Sequence, residues 1–212
     1  MITLSPPVSR FDHQFGFETA PVTLVEYGDF TDAASGEAYW TVKEVLRAFG
    51  SQLRFVFRSF PRMPERRIKR FDWLDFNRIN AQVAAEAAEA ANAQGQFWKM
   101  YAHLFSHQSQ MSEDLLLQYA AILNLDTDRF EHELAEHVYA PRVELSYDSG
   151  IQSGVLKPPT FFINGVHYDD DFEGLGGAIE ESLRLSQKSV TRHIQSMRQS
   201  VASGLYRRSG TK

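Results

Sequence analysis

The stretch VTLVEYGDFTDAAS, residues 22–35, decides the fold of this 212-residue chain. Its first half is rich in β-branched and aromatic residues and stops at Gly28, which predicts a buried strand. Apolar residues then recur at helical spacing from about Ser35 to Phe49, which predicts a helix. QLRFVFRSF, residues 52–60, alternates as a second strand. Strand, helix and strand in this order predict a parallel βαβ unit with a right-handed crossover.

The middle of the chain is predicted to be helical, with segments at residues 79–94, 96–108, 112–123, 126–137 and 143–154. PPTFFING, residues 158–165, then predicts a strand that enters an Asn-Gly turn, with residues 166–168 returning as a hairpin and residues 175–185 forming a last helix. We therefore expect an α/β protein of order βαβ, helical insertion, ββα. The predicted division is a sheet domain at 1–61 and 155–187, a helical insertion at 62–154 and a basic tail at 188–212.

Composition excludes several classes of function. The chain has no cysteine, which rules out disulfides, zinc–thiolate sites, iron–sulfur clusters and cysteine nucleophiles. A net charge of −5 argues against binding of nucleic acid by the chain as a whole. The start of the sequence has no signal-peptide pattern and no run is long enough to span a bilayer, so we expect a cytoplasmic protein without a membrane partner.

Four segments together resemble the DsbA-like branch of the thioredoxin superfamily. They are VTLVEYGDF (22–30), LRFVFRSFP (53–61), AAEAAEAANAQGQFWKMYAHLF (84–105) and GVLKPPTFFING (154–165). The resemblance implies a thioredoxin-like α/β fold with an inserted helical subdomain. In redox-active members the first segment leads, one residue later, into a Cys-x-x-Cys motif at the start of a helix.

Here the four motif positions are Asp32, Ala33, Ala34 and Ser35. Thiol–disulfide exchange needs a thiolate stabilised by the helix N-terminus and a second thiol to resolve the mixed disulfide. Neither Asp32 nor Ser35 can form a sulfur–sulfur bond, so the sequence predicts a redox-inactive member of an oxidoreductase family. Aspartate is a favourable helix N-cap, so we predict capping for Asp32, with a catalytic acid or base as the alternative. Ser35 has no identifiable base beside it.

The resemblance also implies a groove made of Glu26, Pro158, Pro159 and Thr160. Glu26 resembles the family's buried carboxylate beneath the cysteines, and a glutamate facing water is the alternative. Pro159 matches the family's cis-proline, which is expected to be cis here too. Pro158 departs from the family because proline has no N–H to offer a bound peptide or glutathione, a loss of about 1 kcal/mol.

A basic stretch and a histidine pair are further candidate sites. Residues 61–80, PRMPERRIKRFDWLDFNRIN, form a longer stretch than the family usually has at this point. This stretch offers a candidate contact for an anion or a partner, formed by Arg62, Arg66, Arg67, Lys69, Arg70 and Trp73. An ordinary solvated loop is the alternative. His103 and His107 have the spacing of a helical metal pair but lack a third ligand, so no metal site and no cofactor are predicted.

Two main hypotheses for function follow. The favoured one is a cysteine-less scaffold or binding protein for a peptide or protein partner, and not an enzyme. The alternative is a glutathione-binding transferase or isomerase of the kappa-class type, which Asp32 and Pro158 both disfavour. A homodimer built through the tail or the insertion also stays open.

Overall fold

The computed structural model describes residues 2–62, 81–108 and 111–208. In this part of the chain it contains five strands: β1 (His13–Phe15), β2 (Val22–Gly28), β3 (Leu53–Ser59), β4 (Thr160–Ile163) and β5 (Val166–Tyr168). The helices of the same part are α1 (Ala33–Phe49), α2 (Ala81–Asn92), α3 (Phe97–Ser106), α4 (Glu113–Ile122), α5 (Thr127–Ala135), α6 (Ala140–Gln152) and α7 (Leu175–Arg208).

The strands form one mixed sheet in the order β1-β3-β2-β4-β5. Strands β2 and β3 pair in parallel and α1 connects them, so the predicted βαβ unit is confirmed. Strand β4 pairs antiparallel with β2, and β5 pairs antiparallel with β4, which confirms the predicted hairpin. Together with the helical block of α2 to α6, this is the thioredoxin-like α/β fold that the sequence predicts.

Both faces of the central strand β2 are buried because each is covered by a different layer. Val22 and Leu24 belong to the large core formed with α1, the inserted helices and the start of α7. Val25 and Tyr27 point to the opposite face and pack in a smaller core. Residues 4–8 of the N-terminal segment and part of α6 cover that second face. This alternation is the period of two that a strand imposes on its side chains.

Two features of the fold differ from the sequence prediction. Strand β1 was not predicted, because three residues are too few to show a hydrophobic period. These residues form a strand because they pair antiparallel with β3. The last helix was predicted to end at Leu185 but continues to Arg208, through the basic tail. No glycine or proline interrupts residues 186–203, so the sequence contains no stop signal there. None of the described helices is long and apolar enough to cross a membrane.

Candidate functional site

Helix α1 begins at Ala33, and Asp32 is its N-cap residue. The Asp32 carboxylate accepts hydrogen bonds from the Ser35 backbone N–H at 2.8 Å and from the Ser35 hydroxyl at 3.1 Å. These contacts satisfy an N–H group that a helix start leaves unpaired, and a negative charge suits the positive end of the helix. The predicted capping role of Asp32 is confirmed.

Asp29 organises the turn between β2 and α1, a role that was not predicted from the sequence. Its Oδ1 atom accepts hydrogen bonds from the Thr31 N–H and hydroxyl, both at 2.8 Å, and its Oδ2 atom accepts from the Arg62 N–H at 2.9 Å. Asp29 is only 2% exposed. An aspartate that bonds the backbone two residues later is an Asx turn, so the spacing of Asp29 and Thr31 was the available signal.

Ser35 is completely buried at the second motif position. Its hydroxyl donates to Asp32 at 3.1 Å and accepts from the Asp29 N–H at 3.3 Å. Each of these bonds holds the serine inside the turn, where it cannot meet a substrate without breaking them. The arrangement therefore gives Ser35 a structural role, and it offers a bound glutathione no exposed hydroxyl.

Glu26 lies on the face of β2 that packs against the large core, and its side chain is 0% exposed. The alternative that Glu26 faces water is therefore wrong. Among the described residues, no group forms a hydrogen bond with either carboxylate oxygen. Burial raises the pKa of Glu26 to about 8, because removing a carboxylate from water disfavours its charged form.

Pro158 and Pro159 lie at the same end of the sheet as the start of α1. Thr160, the next residue, pairs with Tyr27 at the end of β2, just before the turn to α1. The Pro158–Pro159 peptide bond is cis. All three residues of segment 158–160 are half-buried, and Leu156 just before them is 94% exposed. The topology therefore brings the motif positions and the predicted groove to one edge of the fold.

A family model described as thioredoxin matches residues 9–181 of this chain. The chain belongs to the thioredoxin family. Its fold is similar to that of BdbD from Bacillus subtilis, with a TM-score of 0.69 and 19% identity over 86% of this chain and 98% of BdbD. Wolbachia pipientis α-DsbA1 is similar to the same degree, with a TM-score of 0.69 and 16% identity over 86% and 96% of the two chains. The predicted resemblance to DsbA-type proteins is confirmed at the level of the fold.

The curated relatives of this thioredoxin-family chain include proteins named as Na⁺/H⁺ antiporters. A 170-residue stretch is 41% identical to part of the Na⁺/H⁺ antiporter NhaA 1 of Salinispora arenicola, covering 79% of this chain and 24% of the antiporter. The Na⁺/H⁺ antiporter NhaA 3 of Salinispora tropica is 39% identical over a stretch of the same length and the same coverage. The chain therefore spans about a quarter of the length of the curated relatives it matches.

Gln108, just after α3, connects the helical insertion to the four motif positions at the start of α1. Its side-chain amide donates to the backbone oxygens of Phe30 at 2.9 Å and Asp32 at 3.0 Å. Gly36 lies directly beneath it, because a methyl group added there would come 2.0 Å from the Gln108 Oε1 atom. The sequence contained no signal for this contact, which depends on how the insertion packs.

Of the predicted basic cluster, the structure describes Arg62 alone. Arg62 is exposed, and its backbone N–H rather than its side chain bonds to Asp29. The other members lie outside the described residues: Arg66, Arg67, Lys69, Arg70 and Trp73. Their role as an anion or partner contact stays a prediction.

The Tyr119 ring packs against the rings of His103 and His107. The two histidine centroids are 5.8 Å apart, and the tyrosine centroid lies 5.3 Å from His103 and 5.5 Å from His107. Across residues 2–62, 81–108 and 111–208, no three or more histidine, cysteine or acidic side chains group in a way that could hold a metal ion. The structure thus gives this histidine pair aromatic packing partners.

Proposed function

We propose that this chain is a DsbA-like binding domain without thiol–disulfide activity, and that it holds a peptide or protein segment in the groove beside Pro159. The observation that carries the proposal is the turn between β2 and α1. The resemblance implies cysteines at positions 32 and 35 in redox-active members, but here Asp32 and Ser35 bond to each other and complete the helix start. Nothing in that pair can accept or donate electrons.

The backbone of the groove offers a partner few free hydrogen-bonding groups. Pro158 and Pro159 have no N–H, and the Lys157 carbonyl is already bonded to the Thr160 hydroxyl at 2.7 Å. Backbone pairing with a partner is thus weaker by about 1 kcal/mol than in a member with a donor at position 158. Side chains must supply the rest of the affinity, and Leu156 offers a nearly fully exposed apolar surface for it.

We further propose that the partner is an NhaA-type Na⁺/H⁺ antiporter, which departs from the expectation, drawn from the sequence alone, of no membrane partner. This proposal is supported by the two Salinispora antiporters, because a stretch similar to this domain makes up about a quarter of each of them. A domain of this kind would bind the remaining part of the antiporter, in the same chain or in a separate one. Its function would be to position or regulate the transporter.

Binding can be tested with the Salinispora arenicola antiporter from which the stretch similar to this chain has been deleted. The full chain is labelled with a fluorophore and titrated with that protein in detergent. Leu156→Glu should weaken binding about tenfold or more, since it introduces a charge into an apolar contact. Leu145→Glu is the matched control, because Leu145 is also an exposed leucine, 66% exposed, but lies on α6. Equal affinities of the two variants and the unmodified chain would overturn the groove assignment.

The absence of redox activity is tested separately. The purified chain should not accelerate insulin reduction by dithiothreitol, whereas the double variant Asp32→Cys, Ser35→Cys is expected to gain activity because it restores the thiol pair at the helix start. Catalysis by the unmodified chain would refute the proposal directly.

A further inference from the structure

A cavity of about 370 Å³ lies between β1 and the turn that joins α2 to α3. None of the residues that line it belongs to the groove or to the four motif positions, so the proposed function does not use it. Its wall combines polar side chains with the aromatic side chains of Phe97 and Trp98. Small-molecule sites in proteins have such mixed walls and volumes of roughly 300–1,000 Å³. The cavity therefore has the size and composition of a ligand site.

His13 is the polar residue of this cavity that is held most firmly. Its ring stacks on the Phe97 ring, with centroids 3.5 Å apart and an angle of 8° between the planes. Its Nε2 atom lies 2.8 Å from the Glu89 Oε1 atom, and its side chain is only 9% exposed. Because a carboxylate can only accept, Nε2 carries a hydrogen, and Nδ1 remains as the other polar atom of the ring. No described residue bonds to Nδ1, so this atom is available to a ligand.

The two acidic side chains at the cavity already have cations beside them. Asp12, which lines the cavity, accepts a hydrogen bond from the Arg58 Nε atom at 2.8 Å. Glu89, behind His13, has the Arg142 Nε atom 3.7 Å from its Oε1 atom. An opposite charge at such distances offsets most of the repulsion that a carboxylate would exert on a bound anion.

Three other side chains of the cavity wall have hydrogen-bond donors that are not in use. Lys99 is exposed and forms no ion pair with any residue that the structure describes. The side-chain amides of Asn92 and Gln96 make no hydrogen bond within the same part of the chain, and Gln96, the N-cap residue of α3, makes no capping bond. An ammonium group and two amides are donors that suit carboxylate oxygens. The free groups of the wall thus favour an anion.

We propose that this cavity binds an organic carboxylate. Lys99 and the amides of Asn92 and Gln96 hold the carboxylate group, and His13 contributes its free nitrogen. The half-buried Trp98 contacts the apolar body of the ligand. Such a body is expected because a water molecule takes up only about 30 Å³ in the liquid, so a bare anion of a few times that size would leave most of the cavity empty.

Titration calorimetry on the full chain, without a partner protein, compares benzoate with three probes that each lack a feature of the proposed ligand. Acetate has no apolar body, benzamide has no charge, and inorganic phosphate has neither a carboxylate nor an apolar body. Benzoate should bind about tenfold or more tightly than each of them, a difference of about 1.4 kcal/mol. Equal affinity for any of the three would overturn the assigned ligand class, and the lack of saturable benzoate binding up to about 10 mM would overturn the site.

A variant and a spectroscopic readout locate the bound ligand. Lys99→Gln should weaken benzoate binding about fivefold, and because Lys99 is exposed the core stays intact. Lys188→Gln is the matched control, since Lys188 is an exposed lysine on α7, and it should leave the affinity unchanged. In nitrogen-15 NMR of the unmodified chain, benzoate should shift the imidazole signals of His13 and not those of His132, an exposed histidine on α5. Equal weakening by the two lysine variants, or benzoate binding that leaves the His13 signals in place, would overturn the assignment to this cavity.

Discussion

Replacing Arg58 with methionine should cost this fold about 4 kcal/mol, because the arginine is buried and every one of its donors is used. Its Nε atom donates to Asp12 Oδ1 at 2.8 Å, and Nη2 donates to Asp12 Oδ2 and the Pro7 carbonyl, both at 3.2 Å. Its Nη1 atom donates to the Tyr27 hydroxyl at 2.7 Å and to the Pro6 carbonyl at 3.0 Å. One side chain of β3 thereby ties the N-terminal segment to the second face of the sheet.

The magnitude follows from what the substitution leaves behind. The side chains of Arg58 and Asp12 are 5% and 11% exposed, so removing the arginine leaves a nearly buried carboxylate without its cation. Breaking a buried pair on one side costs about 3–5 kcal/mol. A loss of about 4 kcal/mol lowers the melting temperature of a chain of this size by roughly 8–16 °C.

The pH dependence of the effect has a definite sign. Burial acts to raise the pKa of Asp12, but hydrogen bonds from Arg58 and Ser9 outweigh it and the pKa lies below its usual value. A carboxylate with a lowered pKa contributes stability above its unfolded pKa and loses it as the pH falls through the folded pKa. The difference between the two proteins should therefore shrink as the pH falls, because protonation of Asp12 removes the charge that the variant leaves without a partner.

Urea denaturation followed by circular dichroism measures the effect, with Arg54→Met as the matched control. Arg54 lies on the same strand but is only half-buried, and its Nε atom donates to the neutral Gln14 Oε1 at 2.9 Å. Its replacement should cost about 1 kcal/mol or less. If Arg58→Met and Arg54→Met destabilise the chain equally, or if Arg58→Met costs less than about 1 kcal/mol, the reasoning about burial is refuted.

Three further predictions concern local packing, titration and capping. Gly150→Ala should destabilise the chain by about 1–3 kcal/mol, because the new methyl group would lie 2.4 Å from the Phe60 ring. Gly177→Ala should stabilise it by about 0.5–1 kcal/mol, because no atom lies within 4 Å of the new methyl group. Thermal unfolding of the two variants measures both effects. The folded state keeps the Glu26 proton up to about pH 8, whereas the unfolded state loses it near the ordinary pKa of 4.5. The free energy of unfolding should therefore fall by roughly 1.4 kcal/mol per pH unit between these values. A flat pH profile in urea titrations of the unmodified chain would contradict this. Asp32→Ala should cost about 1 kcal/mol and Asp32→Asn much less, because asparagine also caps a helix, and equal losses in urea titrations would argue against capping.

Local patterns determined the elements and the chemical limits of this protein. The β-branched run of 22–28, the helix behind it and the Asn-Gly turn at 164–165 were predicted because the residues that decide them are neighbours in the chain. The absence of thiol–disulfide exchange was predicted for a simpler reason, because the sequence contains no cysteine. Asp32 was predicted as a cap because the preference acts over three residues.

Only the tertiary structure decided which polar side chains are buried. The sequence left Glu26 open between a core position and water, and it contained no sign that Arg58 and Asp12 meet across 46 residues or that Gln108 bonds to the start of α1. Burial and pairing of such groups depend on elements distant in sequence packing together, and the pKa of Glu26 depends on that packing alone. Local propensity acts over a few residues, whereas exclusion of water acts through the whole core.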